Sequence, residues 1–248
     1  MPSRLEEYSR LIELALNSGY RHLTLPEHFL RVTSGSDTEK SFIHRHDIDT
    51  DSRTAGRMFL REVRLGVKSS FYFRLSTLDY PLMREIHAYG SEVGYHYEEL
   101  AQYCKDNRIA SREAAEGCLE KIRSRFRSNF LRVQEKCGFK IKTIAFHGDF
   151  VNRMLKVSNL RFITPGLLAE LGIDFECHDE RLVRSYDIRL SDSPYPIYFT
   201  PSNPFDAVRE GHRVIFLLSH PRHWHVAPVE NSLDNLRRVL ESVKYQCS

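Results

Sequence analysis

Four short stretches of this 248-residue chain gather histidines and carboxylates: Arg45-His46-Asp47-Ile48-Asp49, Gly94-Tyr95-His96-Tyr97-Glu98, Phe146-His147-Gly148-Asp149-Phe150, and Leu217 to Trp224, which contains His220 and His223. Imidazoles and carboxylates move protons near neutral pH and hold divalent cations. General acid–base catalysis and metal-assisted hydrolysis are therefore the chemistries such stretches can serve. Each stretch sits where an apolar run with strand character ends. If those strands run parallel, their C-terminal ends share the face on which α/β proteins collect ligands.

Side chains alternate across a strand, so Asp47 and Asp49 point one way while His44 and His46 point the other. Two carboxylates on one face repel unless a cation lies between them, which makes one a ligand and leaves the other as a base. The competing structural reading is that an aspartate caps the helix expected from near Ser52. His96 shares a face with Gly94, whose missing side chain admits a close neighbour or a bound group. It reads as a metal ligand or as a satisfied strand-end histidine, and His147 invites the same pair of readings. His220 ends the run from Val214 to Ser219, and Pro221 stops the strand, presenting the imidazole at the rim as an acid or base. His223 and His225 read as surface or supporting residues. Trp224, the only tryptophan, either walls an acyl pocket or anchors its loop.

The elements that must place these residues alternate. Helical spacing through Leu5, Tyr8, Ile12, Ala15 and Leu16 predicts an N-terminal helix, within a segment of about residues 1–40 that flanks the rest. Strands follow at Phe42 to Asp47, Ser69 to Leu75, Glu92 to His96 and Ile141 to Phe146. Helices are expected at Arg53 to Leu65, Pro81 to Tyr89 and Ser111 to Lys136. This βα rhythm implies parallel pairing through crossovers. After His147 it loosens, with a helix near Leu167 and extended runs near Phe175, Tyr186 and Tyr198. It resumes in a strand from Val214 to Leu218 and a helix from Asn231 to Lys244.

With 41% apolar residues and no linker or repeat, one domain spanning 1–248 is the expectation. The 36 Lys and Arg are dispersed among 33 Asp and Glu, and the four arginines between Lys121 and Arg132 read as a solvated helix face, so nucleic acid is not indicated. No apolar run is long enough to span a membrane, and the charged start lacks a signal-peptide core, which favours a cytoplasmic protein. Cys104, Cys118, Cys137, Cys177 and Cys247 contain no C-x-x-C pair and read as reduced thiols.

From Ser41 onward the chain resembles the polysaccharide deacetylases of carbohydrate esterase family 4, in a divergent group linked to surface-polysaccharide and lipopolysaccharide biosynthesis. The resemblance implies an α/β fold, a distorted (β/α)7 barrel. It implies Asp47 as general base, His220 as general acid, and one divalent cation, Zn2+ by preference, on Asp49 and His96. The family's first aspartates are adjacent, whereas Ile48 separates them here; its second motif repeats a histidine four residues on, where this chain has Leu100. The third ligand is then His147, with Glu98 or Glu99 behind it. The family's arginine has Arg153 as its counterpart. Tyr95, Tyr97, Phe150 and Trp224 offer stacking faces for a sugar or acyl group, or else belong to the core. The implied reaction is hydrolysis of the amide of an acylated amino sugar.

Three rivals remain: a two-metal amidohydrolase-like barrel built on the His44-x-His46 pair, an iron oxygenase with a two-histidine, one-carboxylate triad, and a catalytically idle carbohydrate-binding member.

Overall fold

The computed structural model describes residues 3–36, 39–193, 199–225 and 227–246. The chain opens with α1 (Leu5–Asn17), β1 (Arg21–Leu23) and α2 (Leu25–Ser34). The alternating part runs β2 (Ser41–Ile48), α3 (Ser52–Leu65), β3 (Ser70–Phe73), α4 (Tyr80–Tyr89), β4 (Glu92–Tyr97), α5 (Glu99–Asp106), α6 (Arg112–Gly117), α7 (Leu119–Cys137) and β5 (Thr143–Phe146). The looser part holds α8 (Phe150–Leu155), α9 (Pro165–Leu171), β6 (Phe175–Glu176), α10 (Glu180–Val183), β7 (Ile188–Ser191) and α11 (Pro204–Glu210). It is followed by β8 (Val214–Ser219) and α12 (Pro228–Gln246). No described helix is long and apolar enough to cross a membrane. The four described cysteines are free thiols; Cys247 lies outside the described residues.

Seven strands pair in the order β6-β5-β4-β3-β2-β8-β7, every pair parallel. The sheet curls: Ile43 of β2, Tyr72 of β3, Ala145 of β5, Phe175 of β6 and Phe216 of β8 pack into one interior cluster. This is the expected distorted (β/α)7 barrel, open between its β6 and β7 edges. The flanking segment differs from expectation, because β1 inside it pairs with β2 and so joins the sheet. The helix expected over 111–136 is two, broken at Cys118, and Leu16 of the first predicted helix is 39% exposed. The extended run expected near Tyr198 lies outside the described residues.

β2 is buried along its whole length, with different partners on its two faces. Outward, His44, His46, Tyr8 of α1, Glu62 of α3 and Ser219 of β8 form a closed buried network. His44 meets the Tyr8 hydroxyl at 3.0 Å and Ser219 Oγ at 2.8 Å; His46 meets Glu62 at 2.8 Å and Ser219 Oγ at 2.9 Å. Tyr8 donates to Glu62, whose other oxygen accepts from Ser69 at 2.7 Å. Buried polar groups are tolerable when all are bonded. Here they fix α1 and α3 on the strand, and so fix the inward face of β2.

Gly94 faces inward from β4 because Tyr72 needs its space: a Cβ there would lie 2.1 Å from the Tyr72 ring. That ring is fully buried, bonds Thr143 at 2.8 Å and lies beneath the Arg45 guanidinium. Gly94→Ala should therefore lower stability by about 1–3 kcal/mol through overpacking. Adding Tyr72→Leu should restore part of that loss. Urea unfolding of the two variants checks this, and an unchanged midpoint in Gly94→Ala would contradict it.

Candidate metal and acid–base site

Alternation brings the polar residues of four neighbouring strands to one end of the barrel interior. Arg45 and Asp47 come from β2 and Asp49 from just beyond it, Arg74 from beyond β3, His96 from β4 with Glu98 after it, and His147 from the end of β5. Asp49 joins two histidines: its Oδ1 is 3.3 Å from His96 Nε2 and its Oδ2 is 3.5 Å from His147 Nε2. Asp47 Oδ2 lies 3.4 Å from the same His96 nitrogen. His96 Nδ1 is 3.0 Å from the Ala145 carbonyl, which can only accept, so that nitrogen carries the hydrogen. Its Nε2 then faces two carboxylates, with a lone pair in the neutral ring and with a hydrogen in the protonated one.

That arrangement is repulsive without a positive charge, and Asp49 Oδ1 is buried with no hydrogen-bond partner. The donor set of carboxylates and imidazoles suits a divalent cation, and contacts of 3.3–3.5 Å match the spacing of ligand atoms bound at about 2.0–2.1 Å. The groups form a string from His96 through Asp49 to His147. They are not among the sets whose ligand atoms all fall within 4.8 Å of one another.

In those tighter sets the carboxylates already have partners. His44, His46 and Glu62 belong to the network outside the sheet, which corrects the two-metal rival: strand alternation keeps them away from Asp47 and Asp49. Glu98, His147 and Asp149 form another set, but Arg74 holds Glu98 at 2.7 Å and Lys105 holds Asp149 at 3.1 Å. The third, Asp192, His220 and His223, is hydrogen-bonded as described below.

Each neighbouring acid has its own cation. Arg45 grips Asp47 through two 2.7 Å bonds within the barrel; burial raises the Asp47 pKa, but Arg45 and then His96 outweigh it and leave the carboxyl lowered. Asp49 is driven well below the usual range in the same way, burial being outweighed by His147 and His96. Arg74 binds Glu98 and also donates to the Asp49 carbonyl at 3.2 Å, and Glu98 stands 3.2 Å from His147 Nδ1. Neither candidate aspartate caps α3: Asp51 does, accepting from Thr54 N at 3.0 Å and Thr54 Oγ1 at 2.7 Å.

His220 follows β8 and is held by Asp192, which follows β7. Asp192 Oδ1 is 2.6 Å from His220 Nδ1, and Oδ2 accepts from the His220 backbone at 2.7 Å and from Trp224 Nε1 at 3.1 Å. His223 adds a 3.4 Å contact. Burial lowers the His220 pKa, but Asp192, Asp49 and Asp47 outweigh it and raise the imidazole to about 9. Asp192, opposed by its own burial, is brought to about 2 by His220 and His223.

The structure thus gathers Asp47, Asp49, His96, His147 and His220 at one barrel end. It places others elsewhere. Tyr97 is fully buried between Phe126 and Phe162 because it alternates with His96 and faces the helices; Tyr95 does likewise. Trp224 is fully buried against Tyr8 and beneath Arg4, so it anchors the loop and has no face for an acyl group. Glu99 turns to Tyr95 and Asn129, and Leu100 is core. Arg153 makes no contact with Asp47; the guanidinium there is Arg45. Arg153 and Phe150 instead line a cavity of about 680 Å³ whose wall also includes Asp49, Arg74, Glu98, His147 and residues of α12. Asp47, His96 and His220 are not part of that wall. Sequence reasoning missed Arg45, Arg74 and Asp192. Parity signalled the first, two residues before Asp47; nothing in the irregular segment signalled Asp192.

No family model matches the sequence, and no curated protein matches it. Among solved structures the chain is similar to a CE4-family pseudoenzyme from Bacillus anthracis (TM-score 0.43, 10% identity, 85% of this chain and 62% of that one). A variant of it with restored enzymatic activity gives a TM-score of 0.46 at 11% identity, over 85% and 64%. The chain is also similar to IcaB from Ammonifex degensii (0.43, 14% identity, 70% and 77%) and to the peptidoglycan deacetylase PdaC from Bacillus subtilis (0.41, 11% identity, 82% and 98%). It spans less than two thirds of the pseudoenzyme chains.

A raised histidine pKa contributes stability that is full below the unfolded value of 6.5 and is lost as pH rises to about 9; the lowered Asp192 contributes above 3.8 and loses it toward about 2. In Asp192→Asn, burial is left with less opposition, so the His220 titration followed by NMR should fall by at least about one unit. A His220 titration unmoved by that change would show that Asp192 does not hold its proton.

Proposed function

We propose that this protein is a metal-dependent hydrolase that removes an acyl group from the nitrogen of an amino sugar or polysaccharide precursor. The observation that supports this reading most is Asp49: a partly buried, ionised carboxylate, one of whose oxygens is buried with no hydrogen-bond partner, set between the Nε2 atoms of two histidines. Asp49, His96 and His147 would hold one divalent ion, Zn2+ in our reading. Such an ion supplies Lewis acidity at the scissile carbonyl.

The remaining groups divide the proton work. Asp47 stays ionised beside Arg45 and so has a lone pair free to take a proton from the attacking water. His220 remains protonated to about pH 9 and gives its proton to the departing amine, a poor leaving group without it. Arg45 and Asp192 are the positioning partners that keep this base charged and this acid charged. The cavity beside Asp49 and His147 is of a size that takes a sugar unit, with Phe150 as an apolar wall and Arg153 as a donor at the mouth.

The test is amine release from N-acetylated amino-sugar oligomers, run with metal analysis. Asp49→Ala and His96→Ala should lose metal and activity together. His220→Ala should keep its metal and slow turnover by about 10²- to 10⁴-fold. Full activity in Asp49→Ala would overturn the reading. Ligand binding that chelators leave unchanged, with no turnover, would favour the idle carbohydrate-binding alternative.

A further inference from the structure

Helix α12 is amphipathic the wrong way round for a helix lying on its own protein. Its half-covered residues are Asn231, Asp234, Arg238, Glu241, Ser242 and Tyr245. They hold it to the body: Asp234 accepts from Arg222 at 2.9 Å, Glu241 accepts from Lys105 at 3.2 Å, and the Tyr245 ring meets Phe150. Its apolar residues Val229, Leu233, Leu236, Val239, Leu240 and Val243 are 53–67% exposed. Burying that stripe against the body would break the polar contacts, so the described part of the chain leaves it exposed.

The spacing says what kind of partner fits it. Val229, Leu233, Leu236, Leu240 and Val243 alternate by four and three, the seam of a two-helix coiled coil, along ~21 Å at 1.5 Å per residue. We infer that this seam pairs with the same helix of a second copy, antiparallel. In that register Leu236 packs on Leu240 of the copy and Leu233 on Val243, while Val239 meets its own counterpart, which accounts for an apolar residue at a flanking position. A parallel pair would set Val239 against Lys244 and Ser232 against Arg237, with no charge matched. The inference does not depend on the hydrolase reading. Because Leu233, Arg237, Val239 and Ser242 also wall the cavity, the pair would fix that wall in place.

Light scattering and sedimentation equilibrium on the full chain test it. The wild type should be a dimer, and Leu236→Glu/Leu240→Glu should weaken it by at least about 100-fold, since carboxylates in the seam are buried unpaired. Far-UV circular dichroism should be unchanged, both positions being exposed in one copy. In a Cys247→Ser background, Val239→Cys should cross-link on oxidation and Leu233→Cys should not; the reverse would overturn the antiparallel arrangement. A monomeric wild type, or a dimer indifferent to the glutamates, overturns the proposal. So does a monomer that floats with phosphatidylcholine and phosphatidylglycerol vesicles, which would make a membrane surface the occupant.

Discussion

A largely buried carboxylate must find a counter-charge, and Asp49 is met by the imidazoles of His96 and His147, each of which it shares with a second carboxylate. At the same end of the interior Arg45 neutralises Asp47, Arg74 neutralises Glu98 and a protonated His220 neutralises Asp192. Asp49 has imidazoles at 3.3 and 3.5 Å, one of them with its hydrogen committed to a backbone carbonyl. Charge left unpaired in a low-dielectric interior is costly, and a bound cation removes the cost while using the lone pairs that point at it. The hydrolytic reading follows from that imbalance more than from any single residue type.

The imbalance persists only because β2 cannot rotate or slip. A one-residue shift would exchange Asp47 and Asp49 for His46 and Ile48 at the interior. The network of Tyr8, His44, His46, Glu62 and Ser219 makes that exchange expensive, since its members bond one another only in the observed register. The histidines that look like ligands in the sequence thus act as structure, and they hold in place the aspartates to which the proposed chemistry is assigned. On the adjacent strands β3 and β4, Tyr72 and Gly94 fit into one another, which sets the position of His96 two residues later.

Much of this was legible in the sequence for a physical reason: parallel strands put their chemistry at their ends, and alternation assigns each residue a face. That logic brought Asp47, Asp49, His96, His147 and His220 to one end of the barrel. Applied one residue further it would also have set Tyr97 in the core, opposite in parity to His96, and put Arg45 beside Asp47. What was not legible lies between His147 and Val214, where β6 has two residues and β7 four, too short for periodicity to speak. Asp192 comes from that segment. The helix from Asn231 to Lys244 was readable as a helix, but its reversed facing was not, because that depends on tertiary contacts to Arg222 and Lys105.

Diffraction data collected on either side of a metal absorption edge would test the central claim most directly. The account predicts one strong anomalous peak inside the barrel, within bonding distance of Asp49 and of the Nε2 atoms of His96 and His147. A peak seated instead among His44, His46 and Glu62 would contradict it. A crystal grown with zinc that showed no peak at all, with Asp49 Oδ1 hydrogen-bonded to protonated histidines, would do the same.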